Sequence, residues 1–499
     1  MRDPIRRAEQ LFADDEAVVC GDTRRSFGEL ATRIRKVAGL CESISEPGDR
    51  IALWAANSDL YLELFVGIPC ANRAIVPHNT RWAEPELIYA TEDAEAKILI
   101  CDRDPGGLAG SVQRVIRIDT GEYESLLADA PESTPAVFPD TLAGLFYTGG
   151  TTGASKGVML THTNLMANAV HTQLAQPMLG DDRYLTMAPM FHAAGVYNAL
   201  ANIWVGTSNV VLPAFDPGAV LDLIETEQIT SAIAVPSMLA AMIEVQRAQP
   251  RDVSTLRWIS HGASPIALET LKSGLELFGC ELIHLYGATE LSPLATIFRH
   301  EDRFLHDPKR AKSCGTVPPG VSLEIRSKEG DTLPAGEVGE VTVKGPNVMA
   351  GYWNKPEQTA EALDADGWYS TGDVGYLDDE GYLYLVDRSK DMIVSGGENV
   401  YCTEVEDAIY THPAVLEATV FGIPDEQWGE AVHAVVVPRT GSDVVEADII
   451  SHCRNQIAGY KVPKSVSFRH DPLPKSGPGK VLKRDLRAPF WQGKERQIN

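Results

Sequence analysis

The 499-residue chain has eight cysteines but no CxxC pair: Cys20, Cys41, Cys70, Cys101, Cys280, Cys314, Cys402 and Cys453 are scattered. That spacing indicates neither a zinc site nor a disulfide framework, and buried, reduced thiols are expected. Long hydrophobic runs are missing as well. No window reaches the roughly 20 apolar residues of a bilayer span, and the start, MRDPIRRAEQLFADDEA, lacks the apolar core of a signal peptide. A soluble, cytoplasmic protein is expected. Positive charge is in short supply: 44 Lys and Arg against 69 Asp and Glu give a formal charge of −25. This balance argues against nucleic acid or an anionic membrane surface as the main partner, so a polyanionic ligand has to find a local basic patch. Internal repeats and low-complexity segments are absent too.

The length suggests about two to four domains, and a hydrophobic content of 44% is enough to build their cores. Through the first two thirds, strand-like runs alternate with helix-like ones. The series runs RIALWAA, DLYLELFVGIPCANR, AIVPHN, EPELIYATEDA, KILICD, then AVLDLIETEQ, ITSAIAVP, SMLAAMIEVQRA, LRWISHGA and ALETLKSGLELFG. It predicts an α/β fold, a large N-terminal domain of helix-flanked, largely parallel sheets. Ligands of such sheets bind beyond the carboxyl ends of the strands. Three loops fit that position: 148–157, HGASP at 261–265 and YGATE at 286–290. From about Ser313, glycine and proline punctuate short alternating strands as far as KGPNVMAGYW, which predicts a small β subdomain. After Asp387, the helix-like EVEDAIYTHPAV and EADIISHCRNQIA and the strand-like EATVFGIP and AVHAVVVPR predict a separate small α+β domain. Its tail, YKVPKSVSFRHDPLPKSGPGKVLKRDLR, is basic in an acidic protein.

FYTGGTTGASKGVML, from Phe146 to Leu160, sets a loop of glycine, hydroxyls and one lysine between two apolar runs. Bare backbone N–H groups, Thr and Ser hydroxyls and an ammonium can converge on phosphate oxygens. A flexible connector has the same composition. The GxxxxGK[ST] loop is not matched, because Lys156 is preceded by Ser155 and followed by Gly157, and GxGxxG is absent here.

Taken in order, YTGGTTGASKG, YGATE, YSTGDVGYLDDEGYLYLVDRSKD, SGGENVY and PKSGPGK resemble the motifs of the adenylate-forming enzymes. That superfamily comprises acyl- and aryl-CoA synthetases, peptide-synthetase adenylation domains and beetle luciferases, and the pattern is most like that of bacterial acyl-CoA synthetases. The resemblance covers nearly the whole chain. It implies an adenylation domain, 1–386, with the ATP and acid sites, and a small mobile C-terminal lid, 387–499, hinged at Asp387. It also implies ATP and Mg²⁺, a small carboxylic acid as substrate and CoA as co-substrate.

By the same resemblance, Thr148, Gly149, Gly150, Thr151, Thr152 and Lys156 contact the β- and γ-phosphates of ATP. Thr289 meets the α-phosphate, and Glu290 helps to hold Mg²⁺, a hard cation that prefers oxygen. Tyr286 and Gly287, with the backbone around Gly262, Ala263 and Ser264, form the adenine slot. Asp373 offers two acceptor oxygens to the ribose diol, and Arg388 is the second ribose contact. Lys480 bridges the carboxylate and the α-phosphate, while Lys475 and Lys483 are read as surface charges or contacts to an anionic acceptor. Rotation about Asp387 then exchanges Lys480 for SGGENVY, where Gly396 and Gly397 line the acceptor channel because glycine lets an extended arm pass close to backbone. His192, in MAPMFHAAGVYNAL, is the expected wall or gate between acid site and channel. Ala193, Ala194, Val196, Val235, Pro236, Ser237, Ala263, Leu285 and Leu291 are the other expected walls. No Arg or Lys stands in these segments, which favours a monocarboxylic aryl, cyclic or medium-length acyl substrate.

Two positions depart from the usual pattern. Gly149 stands where serine is common, which removes a hydroxyl but no N–H, so use of ATP is expected to survive. Cys402 stands where proline is usual, which frees φ and adds a donor beside the acceptor channel. The expected reaction is acid plus ATP to acyl-AMP and pyrophosphate, then transfer of the acyl group to CoA. Its chemistry asks for preorganised donors and a metal where charge builds on phosphoryl oxygens. A free amine as acceptor is the alternative, with His192 or an acidic neighbour as the base; luciferase-like oxygenation and carrier-protein loading are further ones. Retention of Lys480, Glu290 and Asp373 argues against a non-catalytic nucleotide binder.

Overall fold

The computed structural model of the chain describes residues 1–148, 155–264, 266, 268–300, 307, 309–388, 391–395, 398–425, 427–439, 441–475 and 481–492. They form two compact units, 1–323 with 343–369 and 324–342 with 370–499.

In the first unit, the alternating runs become two largely parallel sheets. Among the described residues, one has eight strands in the order Thr296–His300, Glu281–Tyr286, Trp258–Gly262, Ser231–Ala234, Arg183–Thr186, Ser208–Val211, Glu16–Cys20 and Thr23–Ser26. Only its two edge strands are antiparallel. The other has seven: Gly351–Tyr352, Lys156–Thr161, Leu142–Thr148, Ala74–Pro77, Arg50–Trp54, Ala96–Cys101 and Arg114–Arg117. The helix Asp59–Cys70 explains its unbroken apolar reading. It touches Glu16–Cys20 of the first sheet and both Ala74–Pro77 and Leu142–Thr148 of the second. Every one of its residues except Leu60 is buried, as expected for a helix that is apolar all round. Its Glu63 is held by Arg33 and by the Tyr123 hydroxyl.

The second unit holds a four-stranded sheet of Ser322–Arg326, Gly339–Lys344, Tyr369–Leu377 and Leu383–Arg388, the small β element expected from the Gly/Pro-rich run. Its other sheet runs Glu398–Val400, Ile393–Ser395, Gly429–Pro438, Val415–Asp425, with Ser465–Phe468 alongside Gly429–Pro438. The helices Cys402–Tyr410 and Glu446–Arg454 cover it with Val405, Ile409, Ile449 and Cys453, against Val420, Val432 and Val436. Asp387, the expected hinge, lies within this unit.

One stretch leaves the subdomain to which its composition assigned it. PNVMAGYW, 346–353, belongs to the first unit, where Gly351–Tyr352 adds an edge strand beside Lys156–Thr161. Side-chain amides capture it: Asn164 Nδ2 donates to the carbonyls of Pro346 (2.9 Å) and Val348 (2.7 Å). All eight cysteines are free and seven are buried. Among the described residues, no helix is long and apolar enough to cross a membrane.

Candidate active site

The strands Leu142–Thr148 and Lys156–Thr161 pair antiparallel with Thr148 opposite Lys156, so the first and last expected phosphate contacts stand side by side. Gly149, Gly150, Thr151 and Thr152 lie outside the described residues. The Lys156 ammonium sits 3.9 Å from the centre of the Tyr352 ring, a cation–π distance. The Tyr352 hydroxyl donates to Glu290 Oε1 at 2.9 Å. Burial first, and the Glu290 anion second, push the phenol above its ordinary range. A lysine and a carboxylate from loops far apart in the chain thus meet across one tyrosine.

Tyr352 was not singled out in the sequence. Its only signal there was a Gly-Tyr-Trp triplet closing a Gly/Pro-rich run, which many turns contain. Structure fixes it from several sides: Tyr352 pairs with Val158, its N–H donates to Thr359 Oγ1 (2.9 Å), and Trp353 N–H donates to the Gly157 carbonyl (2.8 Å). Upstream, Met349 N–H donates to the Glu290 carbonyl at 2.8 Å. Asn347 Nδ2 donates to the carbonyls of Leu291 (3.1 Å) and Leu294 (2.7 Å). The same segment therefore holds both the lysine hairpin and the carboxylate turn.

The expected adenine residues come together at the ends of two neighbouring strands. Gly262 pairs with Leu285, one residue before Tyr286. A Cβ on Gly262 would lie 2.3 Å from the Leu285 carbonyl oxygen, and one on Gly287 would lie 1.9 Å from that of Pro293, so side chains are excluded at both. Ala263 takes the left-handed conformation (φ 67°), and Ser264 follows it, half-buried. Thr289 and Glu290 sit on the single 3₁₀ turn Thr289–Leu291 and stay half-exposed.

His192 stands at the N-cap of the short helix Ala193–Val196, and its Nδ1 accepts from the Ala194 N–H at 3.3 Å. Burial pushes its imidazolium down to about 4, so the ring is neutral at pH 7. A general base works best with a pKa near the working pH, so the expected option of His192 as an amine-deprotonating base fits poorly. Ala193 and Val196 line a small enclosed pocket with Phe65, Phe146, Asn168 and Tyr197. The lining of that pocket does not include Ala194, Val235, Pro236, Ser237, Leu285 or Leu291. Leu285 and Leu291 are buried, Ala194, Val235 and Pro236 are half-buried, and Ser237 is exposed at the start of the helix Pro236–Ala248.

In the second unit the two ribose candidates face each other: Asp373 and Arg388 are in register, with Arg388 Nε 3.1 Å from Asp373 Oδ1. Asp387 is enclosed. Its Oδ1 accepts from the Arg388 N–H (2.7 Å) and its Oδ2 from the Cys402 N–H (2.5 Å). The donor that proline would lack at 402 therefore lands on the expected hinge carboxylate. Burial raises Asp387 to about 6, against the lowering effect of Lys483. Lys483 and Lys475 are not free surface charges. Lys483 pairs with Glu406 at 2.8 Å in a largely enclosed cluster, and Lys475 pairs with Glu417 and forms a β-bridge with Val481. Lys480, Gly396 and Gly397 lie outside the described residues.

Family profiles match both units' motifs: that of the AMP-binding enzyme family over residues 5–353, and that of the AMP-binding enzyme C-terminal domain over 404–480. The chain belongs to the AMP-binding enzyme family. This AMP-binding enzyme is 38% identical over 491 residues to a feruloyl-CoA synthase from an Amycolatopsis species, covering 98% of each chain. It resembles ATP-bound MatB from Rhodopseudomonas palustris with a TM-score of 0.90, at 31% identity over 98% of each chain. It also resembles the O-succinylbenzoate coenzyme A synthetase MenE of Bacillus subtilis in complex with ATP and magnesium ion, with a TM-score of 0.87 and 30% identity over 97% of this chain and 99% of that one. The α/β architecture read from the alternating sequence is the one these AMP-binding enzymes share.

Proposed function

We propose that this enzyme is an AMP-forming acid–thiol ligase that joins a monocarboxylic acid, aryl or cyclic, to CoA. One carboxylate oxygen attacks the α-phosphorus of ATP, the bond to the bridging oxygen breaks, and pyrophosphate leaves with that electron pair. The CoA sulfur then attacks the acyl carbon, gives up its proton, and AMP departs. Thr148 and Lys156, with Gly149, Gly150, Thr151 and Thr152, hold the departing phosphates; Thr289 holds the α-phosphate. Tyr286 and Gly287 with Gly262, Ala263 and Ser264 hold adenine, and Asp373 and Arg388 the ribose. Lys480 meets the two anions as they approach, and His192 closes the acid site as a neutral wall. The exchange of Lys480 for Gly396 and Gly397 turns on Asp387.

The donor set suits Mg²⁺. Among the described residues no cluster of three or more His, Cys, Asp or Glu is arranged to hold a metal. Mg²⁺ needs no such cage, since it keeps waters and binds through one or two carboxylates plus substrate phosphates. Glu290 supplies one hard oxygen ligand beside the phosphate hairpin. When bound, the ion neutralises charge building on the phosphoryl oxygens.

The observation that supports this reading is the chain Lys156–Tyr352–Glu290, which brings the lysine proposed for phosphate and the carboxylate proposed for Mg²⁺ to one tyrosine. The feruloyl-CoA synthase relative and the ATP- and magnesium-bound neighbour support it. The test is mass-spectrometric product analysis with ATP, Mg²⁺ and a panel of aryl and alkyl acids, CoA and a simple amine offered together. Thioester with AMP is expected. Amide formed without CoA would overturn the acceptor, and absence of pyrophosphate with every acid would overturn adenylation.

A further inference from the structure

The strand pair Leu142–Thr148 and Lys156–Thr161 has two faces. On one of them Lys156 meets Tyr352. The pleat sends alternate residues the other way, and Tyr147 and Gly157, paired across the two strands, share that second face. A Cβ on Gly157 would lie 3.1 Å from Cζ of the Tyr147 ring and 3.2 Å from its hydroxyl oxygen. Glycine thus leaves the ring space to lie over the neighbouring strand, and the hydroxyl at its far end donates to Asp93 Oδ2 at 2.7 Å. Burial first, and the Asp93 carboxylate second, push this phenol above its ordinary range, so it stays a donor.

Asp93 is the last residue of the helix Glu84–Asp93, and its carboxylate ties that helix to both flanks of the strand pair. Its second oxygen, Oδ1, accepts from the Lys355 ammonium at 2.8 Å. Lys355 follows the edge strand Gly351–Tyr352 and is held to it, its N–H donating to the Tyr352 carbonyl at 3.2 Å. One turn earlier on the helix, the Tyr89 hydroxyl donates to the Ser155 carbonyl at 3.1 Å and lies 3.5 Å from the same Oδ1. Tyr147 directly precedes Thr148, and Ser155 directly precedes Lys156. Each strand is therefore fastened beside its expected phosphate contact, and both are fastened to one helix end. The side chains of Asp93 and Lys355 are only 13% and 24% exposed. Stability alone does not ask for such a network, because an enclosed ion pair can often be replaced by apolar residues without loss. What charge-assisted bonds add is fixed geometry.

We propose that Asp93, with Tyr147 and Lys355, positions the phosphate-binding strand pair, setting where Thr148 and Lys156 meet the β- and γ-phosphates of ATP. The inference rests on the adenylating reading above. All three are positioning residues, since they act through Thr148 and Lys156. Lys355 has a second effect: it cancels the Asp93 anion, which would otherwise add an uncompensated negative charge near strands that receive a polyanion.

AMP lacks the β- and γ-phosphates, so it separates this role from general support of the fold. The test is calorimetric titration of the full-length enzyme with Mg²⁺ and ATP, and separately with AMP, in the absence of acid. Tyr147→Phe keeps the ring over Gly157 and removes one oxygen. Its dissociation constant for ATP is expected to rise about tenfold, the scale of one hydrogen bond to a charged group, with that for AMP unmoved. Lys355→Met should weaken ATP at least as much, again without moving AMP, and makes the same comparison if Tyr147→Phe fails to fold. Equal weakening of ATP and AMP, or unchanged affinity for both, would overturn the proposal while leaving adenylation standing. A wild-type enzyme that binds neither nucleotide would overturn the adenylating reading and this proposal with it.

Discussion

The charged groups around Tyr352 in the first unit and those around Asp387 in the second are organised in opposite ways. Lys156 and Glu290 are half-exposed and touch one shared partner, Tyr352. Asp387 and Cys402 are instead buried, and the neighbouring Lys483–Glu406 ion pair is only 17% and 15% exposed. Removing one of them strands the others, because an unpaired charge in a low dielectric is far more costly than a paired one. Half-exposed charges sit on one unit, and a largely enclosed cluster sits on the other.

The largest test of that contrast is Lys483→Met. Taking one partner from a mostly enclosed ion pair should cost about 3 kcal/mol, read by hydrogen exchange in the helices Cys402–Tyr410 and Glu446–Arg454, with the first unit unaffected. A loss below about 1 kcal/mol would mean the cluster behaves as an ordinary surface pair. Next, Lys480→Ala should lower acyl-AMP formation by about 10²–10³-fold, the usual effect of deleting a group that meets transition-state charge, while sparing turnover of supplied acyl-AMP. Equal loss of both steps would count against exchange about Asp387.

Tyr352→Phe comes third. It keeps the ring under Lys156 and deletes the hydroxyl on Glu290, so the Mg²⁺ needed for half-maximal pyrophosphate release should rise about tenfold, the scale of one hydrogen bond to a charged group. An unchanged Mg²⁺ dependence would reduce Tyr352 to packing. The last test is of pH. Burial holds His78 and His192 at about 4 and His300 at about 3. Unfolding lets each take up a proton below its ordinary value of about 6.5, so the first unit loses stability as pH falls from there, by about 1–2 kcal/mol per histidine at pH 5. Asp387, raised to about 6, acts in the opposite sense: its ionisation penalty is present above pH 6 and is relieved on acidification towards its unfolded value. Thermal unfolding at pH 7 and pH 5 should show the first unit's transition moving down more than the second's.

Local pattern was enough for the elements themselves. Runs such as ITSAIAVP and EADIISHCRNQIA carry their period within a few residues, and Ser231–Ala234 and Glu446–Arg454 fall inside them. The motif residues Gly262, Tyr286, Gly287 and Asp373 also lie at strand ends or on strands as their loops implied. What composition could not reveal is partnership at long range. Tyr352 matters only because Val158 and Glu290 meet it, Lys483 stops being a surface charge only because Glu406 lies beside it, and 346–353 changes unit because Asn164 and Asn347 hold it. No periodicity encodes such contacts.

An antiparallel bridge pairs Lys475 with Val481. Leu482 N–H donates to the Pro474 carbonyl at 2.8 Å, and the ion pairs of Lys475 with Glu417 and Lys483 with Glu406 anchor both ends to the same unit. Each flank of the bridge is thus moored to the unit by its own ion pair, so losing one carboxylate releases one mooring and leaves the other in place.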